Sequence, residues 1–180
     1  MRWAAFAIIF LCSACVAPQR ESARTVAAFE VPLPTLGERA EFLSLLRQAA
    51  ESEGLHVDAS TVEELEQRSE VSPVTIHAAV WRGANDEEPL ASVMDMPGNL
   101  GRAWITFSKG EDSGLAKRFR ERAMTQILAR WPRTRSLPIL PTGAIPLPEA
   151  LRQTPEGYRV EPNAASGYGL APASHIVATN

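Results

Sequence analysis

The chain has 180 residues, of which 45% are hydrophobic and 22% charged, and its formal net charge at pH 7 is −3. This composition excludes a wholly disordered chain, a collagen-like fibre and a strongly basic nucleic-acid-binding protein. The two cysteines, Cys12 and Cys15, both fall within the first fifteen residues. A disulfide scaffold, a cysteine zinc site and a cysteine nucleophile are therefore excluded from the rest of the chain.

The N-terminus has the features of a bacterial export signal. Arg2 is followed by the apolar run 4–11 and then by small residues, and the run is too short for a membrane span, which needs about 20 apolar residues. The segment Cys12-Ser13-Ala14-Cys15 resembles the lipobox of bacterial lipoproteins, although Cys12 stands where that family usually has Leu.

The lipobox resemblance implies a modification and a location. It implies cleavage between Ala14 and Cys15, with Cys15 carrying the diacylglyceryl group and an N-linked acyl chain. Two or three acyl chains together anchor a protein durably. Residues 1–14 would then be a signal peptide and residues 15–24 a lipidated tether. Because Val16 follows the cysteine, where Asp would signal retention in the inner membrane, the resemblance implies the outer membrane, with the protein facing the periplasm. The alternative is an ordinary secreted protein cut near Ala14 with Cys15 unmodified.

Residues 25–140 are predicted to form an α+β domain. In chain order the patterns predict a strand at 25–31, a helix from the Thr35/Glu38 capping box to Gly54, a strand at 55–58, a small acidic helix at 60–68, alternating strands at 74–82, 90–96 and 102–108, a helix from 112 or 113 to 131, and an edge strand at 136–140. We expect a two-layer sandwich with a mostly antiparallel sheet of four to five strands and two long helices on one face. A ferredoxin-like topology with an added strand is one version of it.

The two faces of the predicted sheet differ in character. Alternation directs one set of side chains towards the helices: Val74, Ile76, Ala78, Val80, Ala91, Val93, Ala103, Ile105 and Phe107. The opposite face carries a candidate binding face of His77, Trp81, Met94 and Trp104. Exposed apolar surface of this kind usually marks a contact with a peptide, a glycan or a partner protein. The alternative is that the proline-rich segment 137–148 folds back over this face. Residues 141–180 are predicted to form a proline-rich, partly disordered tail.

A second candidate surface is basic. Lys117, Arg118, Arg120 and Arg122 lie on the second long helix and form a candidate face for anionic lipid headgroups or peptidoglycan carboxylates. The alternative is that both helices lie on one side of the sheet, where the basic border of one pairs with the acidic border of the other.

No motif predicts a reaction. His56 and Asp58 share a strand face without a further ligand at metal spacing, and neither a His-Glu-x-x-His nor a Gly-x-Ser-x-Gly sequence is present. We therefore predict no catalytic residue, no metal and no cofactor. The predicted function is that of a non-catalytic cell-envelope lipoprotein that binds an envelope protein or peptidoglycan, without a nucleic-acid partner. The alternatives are a glycan- or peptide-binding module using Trp81 and Trp104, and an envelope hydrolase with a cleft near His56 or His77.

Overall fold

A six-stranded antiparallel sheet and two long helices form a two-layer α+β sandwich, which confirms the predicted fold class. The computed structural model describes residues 20–61, 64, 76–83, 88–95 and 101–170. The elements are β1 (Thr25–Pro32), α1 (Leu36–Glu51), β2 (His56–Ala59), β3 (His77–Trp81), β4 (Ala91–Asp95), β5 (Arg102–Ser108), α2 (Ser113–Arg130), β6 (Arg135–Ser136), β7 (Leu151–Thr154) and β8 (Gly157–Val160), with short 3₁₀ turns at Glu21–Ala23, Pro148–Ala150 and Ala165–Tyr168.

The strand order of the main sheet is β2-β3-β4-β5-β1-β6. Helix α1 carries the chain from β1 to the far edge, β2, and the chain then returns strand by strand to β5. Helix α2 connects β5 to β6, and β1 lies between these two strands. The second crossover has the ferredoxin-like form, whereas the first spans three strands because the meander is longer. The sheet has more strands than the four to five expected because β2 and the two-residue β6 both pair at its edges.

Both helices pack on the face of the sheet that alternation predicts. Every predicted core-facing residue within the described ranges is buried beneath them: Ile76, Ala78, Val80, Ala91, Val93, Ala103, Ile105 and Phe107. Val74 lies outside the described residues. Phe119 of α2 meets Phe107 edge to face with ring centroids 5.9 Å apart, which fixes the helix on β5.

The helices begin where side chains can replace the missing backbone partners. Thr35 and Glu38 form the predicted capping box, in which the Glu38 N–H donates to Thr35 Oγ1 at 3.2 Å and the Thr35 N–H donates to the Glu38 carboxylate at 3.1 Å. Asp112 caps α2 by accepting the Leu115 N–H at 2.9 Å. Most of the acidic helix predicted at 60–68 lies outside the described residues.

The proline-rich segment after β6 packs onto the sheet. Strands β7 and β8 form a hairpin closed by Pro155 and Glu156. The side chains of Leu151 and Tyr158 on this hairpin, with Ile139 and Ile145 before it, contact the cluster around Trp104. Residues 141–170, which lie in the segment predicted to be a partly disordered tail, therefore belong to the folded body. Residues 171–180 lie outside the described part of the chain.

Candidate functional site

The face of the sheet turned away from α1 and α2, called here the helix-free face, carries the candidate binding residues. The strand register places His77 opposite Met94, Met94 opposite Trp104, and Trp104 opposite Glu30. These four side chains form one row across β3, β4, β5 and β1. Trp81 lies on the same face four residues along β3 from His77, about 13 Å away at the usual strand rise. The sequence therefore predicts the shared face correctly, and the structure divides it into two halves.

The half around Trp104 is covered. Trp104 is only 5% exposed and lies in a cluster with Ala28 and Leu137, over which residues of the hairpin pack. Its indole N–H donates to the Glu30 carboxylate at 3.2 Å. For Trp104, the alternative of a proline-rich segment folded back over the sheet is therefore the one that the structure adopts, and Trp104 is not available to a ligand.

A buried carboxylate holds this cover in place. Glu30 is 5% exposed, and its Oε1 accepts hydrogen bonds from the Tyr158 hydroxyl at 2.6 Å and from Arg102 at 2.7 Å. Arg102 also donates to the Tyr158 hydroxyl at 3.0 Å. Burial raises the pKa of Tyr158, and the hydrogen bond to Glu30 raises it further, so the phenol stays neutral and donates to the carboxylate. The cluster of Glu30, Arg102, Trp104 and Tyr158 therefore fixes the hairpin to the sheet.

The roles of Glu30 and Tyr158 could not be predicted from the sequence pattern. The one local signal is a single acidic residue in the otherwise apolar strand 25–31. A carboxylate in such a position must find donors, but nothing local shows that one donor is 128 residues away.

Among the described residues, the other half of the helix-free face is exposed, and we call its residues His77, Trp81 and Met94 the uncovered patch. Met94 is 48% exposed, His77 is exposed and Trp81 is half-buried. His56, opposite Trp81 on β2, is also exposed. The patch thus presents a thioether, an indole and imidazoles on a flat sheet surface, which suits apolar and aromatic contacts. Among the described residues, no group of three or more His, Cys, Asp and Glu side chains could hold a metal ion.

Two residues of the candidate basic face pair with Glu53, which lies in the turn after helix α1. The Nε groups of Arg118 and Arg122 both bind the Glu53 carboxylate, at 3.2 and 3.0 Å. Burial alone would raise the pKa of Glu53, but the hydrogen bonds from these two arginines outweigh it and hold that pKa below its ordinary value. Lys117 lies 3.8 Å from Glu121 on its own helix. Arg130 of α2 binds Glu41 of α1 at 2.6 Å, so the borders of the two helices do pair charge against charge.

Arg120, the fourth residue of the basic face, lies on a separate groove. This groove has a volume of about 820 Å³ and lies between β1, α2 and the turn of the hairpin. Its floor includes Phe29 and the exposed side chains of Val26 and Leu128. Its lining includes two cations, Arg120 and Arg135, and two acids, Glu121 and Glu156, so its charge is balanced. The groove is a second apolar surface with no preference for the sign of a ligand's charge.

A buried ion pair at the opposite end of the sheet was also missed. Arg39 of α1 is 4% exposed, donates from Nε to the Leu33 carbonyl at 3.2 Å and pairs with the Asp95 carboxylate. Burial raises the pKa of Asp95, and the hydrogen bond from Arg39 offsets part of that rise. Arg39 precedes Phe42, Leu43 and Leu46 at helical spacing on the apolar side of α1, which is the signal that could have revealed it. The pair ties the start of α1 to the end of β4.

Within the described ranges, no helix is both long and apolar enough to cross a bilayer. No protein-family model matches the chain, and a search of curated proteins found no significant match.

Proposed function

We propose that this protein is a non-catalytic cell-envelope lipoprotein, anchored through Cys15 in the outer membrane and facing the periplasm, that binds another envelope protein through the uncovered patch. The observation that carries the proposal is the division of the helix-free face. The hairpin buries Trp104, whereas Met94 in the same cross-strand row remains 48% exposed beside His77. Exposed apolar side chains beside a covered half of the same face support a contact surface there, because contiguous exposed apolar patches usually mark interaction sites.

The dimensions of the uncovered patch favour a protein partner. The patch is two strands wide, β3 and β4, at about 5 Å each, and four residues long, which amounts to an area of about 10 by 13 Å. A stable protein interface buries roughly 800 Å² on each partner, so the patch is the size of an interface centre rather than a whole interface. Met94 suits that role because its unbranched thioether adapts to the surface it meets. The surrounding His56 and Asp58 are exposed polar residues of the kind found at an interface rim.

The anchor is tested by substitution of each cysteine. Cys15→Ala should release the protein from the membrane fraction and leave the N-terminal peptide without its diacylglyceryl mass. The matched control is Cys12→Ala, which should leave anchoring unchanged because Cys12 departs with the signal peptide. Accumulation of a precursor on treatment with globomycin, an inhibitor of the lipoprotein signal peptidase, is the independent readout. A Cys15→Ala protein that remains membrane-bound with no uncleaved precursor accumulating would contradict the anchor.

The binding surface is tested by photo-crosslinking in the bacterial envelope. A photoreactive residue at position 94 should give a specific adduct with one protein, and the same residue at the exposed position 152 on the outer side of the hairpin should not. A third position, 128, reports on the groove beside α2. An adduct at 128 without one at 94 would move the binding surface to that groove, and equal labelling at all three positions would remove the proposal.

Trp81 supports a second candidate function, that of a glycan- or peptide-binding module. Its indole is partly accessible on the sheet surface next to His56, and aromatic faces bind sugars and extended peptides. In this case the tryptophan fluorescence of the unlipidated Cys15→Ala chain should change on titration with peptidoglycan fragments, and Trp81→Phe should abolish the change. A flat titration favours the protein partner.

A further inference from the structure

The end of the predicted tether is fixed to the domain. The Gly110 N–H donates to the Ser22 carbonyl and the Lys109 N–H donates to the Arg24 carbonyl, each at 2.9 Å. Side chains add to this attachment, because Ser22 Oγ donates to Glu88 at 2.9 Å and Lys109 Nζ donates to Glu21 at 2.9 Å. Only residues 16–19 therefore separate Cys15 from the attached segment.

We propose that this end of the domain lies against the lipid headgroups of the membrane that holds Cys15, an inference that rests on the proposed lipid anchor. The membrane-facing end is defined by the residues around the attachment: Arg20, Glu21, Ser22, Arg24, Arg82, Glu88, Lys109, Gly110, Glu111 and Asp112. The surface is the junction of the N-terminal turn, the loop after β3 and the loop that leads into α2.

Covalent geometry limits the distance between Cys15 and Arg20, and therefore the distance of the domain from the membrane. Five Cα–Cα steps join Cys15 to Arg20, and a fully extended chain of that length spans at most about 18 Å. The acyl chains place Cys15 at the base of the headgroup layer, which is roughly 5 to 8 Å thick on each side of the bilayer. Arg20 therefore lies at most about 10 to 13 Å above the headgroups, which is less than half the length of about 27 Å that α2 spans.

The charges at this end fit a headgroup surface without strong net attraction. Among the described residues it carries four cations, Arg20, Arg24, Arg82 and Lys109, and four acids, Glu21, Glu88, Glu111 and Asp112. These eight charges can face both the phosphate and the ammonium of a zwitterionic headgroup, and the sequence adds two more acids, Asp86 and Glu87, between Gly83 and Glu88. The short attachment, rather than Coulomb attraction, therefore sets the orientation, and the orientation should not depend on salt.

The orientation also places the uncovered patch. Strand β3 ends at Trp81, immediately before Arg82 at the membrane-facing end, so Trp81 lies on the membrane side of the patch. Tryptophan is enriched at membrane interfaces because its ring is apolar with one polar donor. His77 and Met94 lie about 13 Å farther from the membrane along the strands. A partner that contacts the patch must therefore come close to the bilayer surface.

The test measures the distance of two labelled positions from the headgroups. The lipidated full chain, carrying Glu111→Cys or Arg133→Cys with a fluorescent maleimide, is reconstituted in phosphatidylethanolamine and phosphatidylglycerol vesicles that contain a headgroup-nitroxide lipid. These two positions flank opposite ends of α2, whose 18 residues span about 27 Å. We expect loss of fluorescence at 111 and none above background at 133, unchanged at high salt. Arg82→Cys provides a second position at the membrane-facing end.

Two further measurements identify the source of any failure. Insertion of about ten Gly and Ser residues between positions 17 and 18 lengthens the maximum reach to roughly 50 Å and should remove the quenching at 111 while the lipid anchor is retained. Equal quenching at 111 and 133, or quenching that survives the insertion, overturns the membrane-facing end and leaves the anchor intact. A mature N-terminal peptide without diacylglyceryl overturns the anchor, and with it this inference.

Discussion

Removal of one hydroxyl group from Tyr158 should loosen the hairpin from the sheet. Tyr158→Phe keeps the ring that packs beside Trp104 and deletes the donor to Glu30 at 2.6 Å, together with the acceptor for Arg102 at 3.0 Å. Glu30 retains Arg102 and Trp104 as donors, so the variant does not leave a wholly unpaired buried carboxylate. The loss is therefore that of one hydrogen bond to a charged group rather than that of a buried charge without partners.

The size of the effect follows from the environment of this hydrogen bond. Hydrogen bonds to charged groups contribute about 1.5 to 3 kcal/mol to the free energy of unfolding, and those between neutral groups about 0.5 to 1.5 kcal/mol. Because Tyr158 and Arg102 are both partly exposed, we expect a value near the lower limit, about 1.5 to 2 kcal/mol. For a chain of this size that corresponds to a fall in Tm of roughly 3 to 8 °C.

Chemical denaturation followed by tryptophan fluorescence measures the free energy of unfolding. The matched control is Tyr168→Phe, because the Tyr168 hydroxyl accepts only the neutral Leu147 N–H, at 3.1 Å, at an exposed position. Tyr168→Phe should lower the free energy of unfolding by about 0.5 kcal/mol. A Tyr158→Phe loss below about 0.5 kcal/mol, or one equal to that of the control, would refute the role of this hydrogen bond in holding the hairpin.

The same hydroxyl group should produce a dependence of stability on alkaline pH. Burial raises the pKa of Tyr158 in the folded protein, and the hydrogen bond to Glu30 raises it further. At a pH between the pKa of the unfolded chain and that of the folded protein, the folded state therefore binds more protons than the unfolded state. The stability that the neutral phenol contributes is fully present below about pH 10 and is lost as the pH rises through the folded pKa. The stability difference between the wild type and Tyr158→Phe should therefore shrink above that pH, and a constant difference would argue against it.

Two further predictions concern packing and buried charge. Gly157→Ala should destabilise the fold by roughly 1 to 3 kcal/mol, because the φ of Gly157 is +139° and an added Cβ would lie 2.7 Å from Ser136 Oγ and 2.8 Å from the Ser136 carbonyl oxygen. The control Gly167→Ala, which has open space around it, should change thermal unfolding little. Arg39→Met should cost about 3 to 5 kcal/mol because it leaves the buried Asp95 carboxylate without its cation. The double variant Arg39→Met/Asp95→Leu should recover most of that loss in urea unfolding, and an additive loss from the two substitutions would show that their charges are not coupled.

The period-two pattern of the strands predicts the layer structure because burial of one sheet face is a property of each strand. Ile76, Val93 and Ile105 could therefore be assigned to the helix side from their positions alone. The division of the other face could not be predicted in this way. Trp104 and Met94 are neighbours in one row, and only the packing of a hairpin about 50 residues farther along the chain makes one buried and the other exposed.

The hairpin itself was missed because its signals are weak. Strand β7 is polar at Arg152 and Gln153, and the apolar positions Leu151 and Tyr158 are too few to form a pattern. Pro155 followed by Gly157 is a turn signal that could have suggested the two short strands. The partners of Tyr158 depend on tertiary structure, so its role had no local trace in the sequence.

The position of β1 in the sheet determines when the chain can complete its fold. This first strand lies between β5, more than seventy residues later, and β6. Glu30 of this strand can accept its hydrogen bond from Tyr158 only after another 128 residues have been synthesised. Synthesis delivers β1 before its partners, so both of its edges stay unpaired until β5 and then β6 have followed. Contacts this distant in sequence slow folding, and β1 is among the last strands to be paired on both edges although it is synthesised before them.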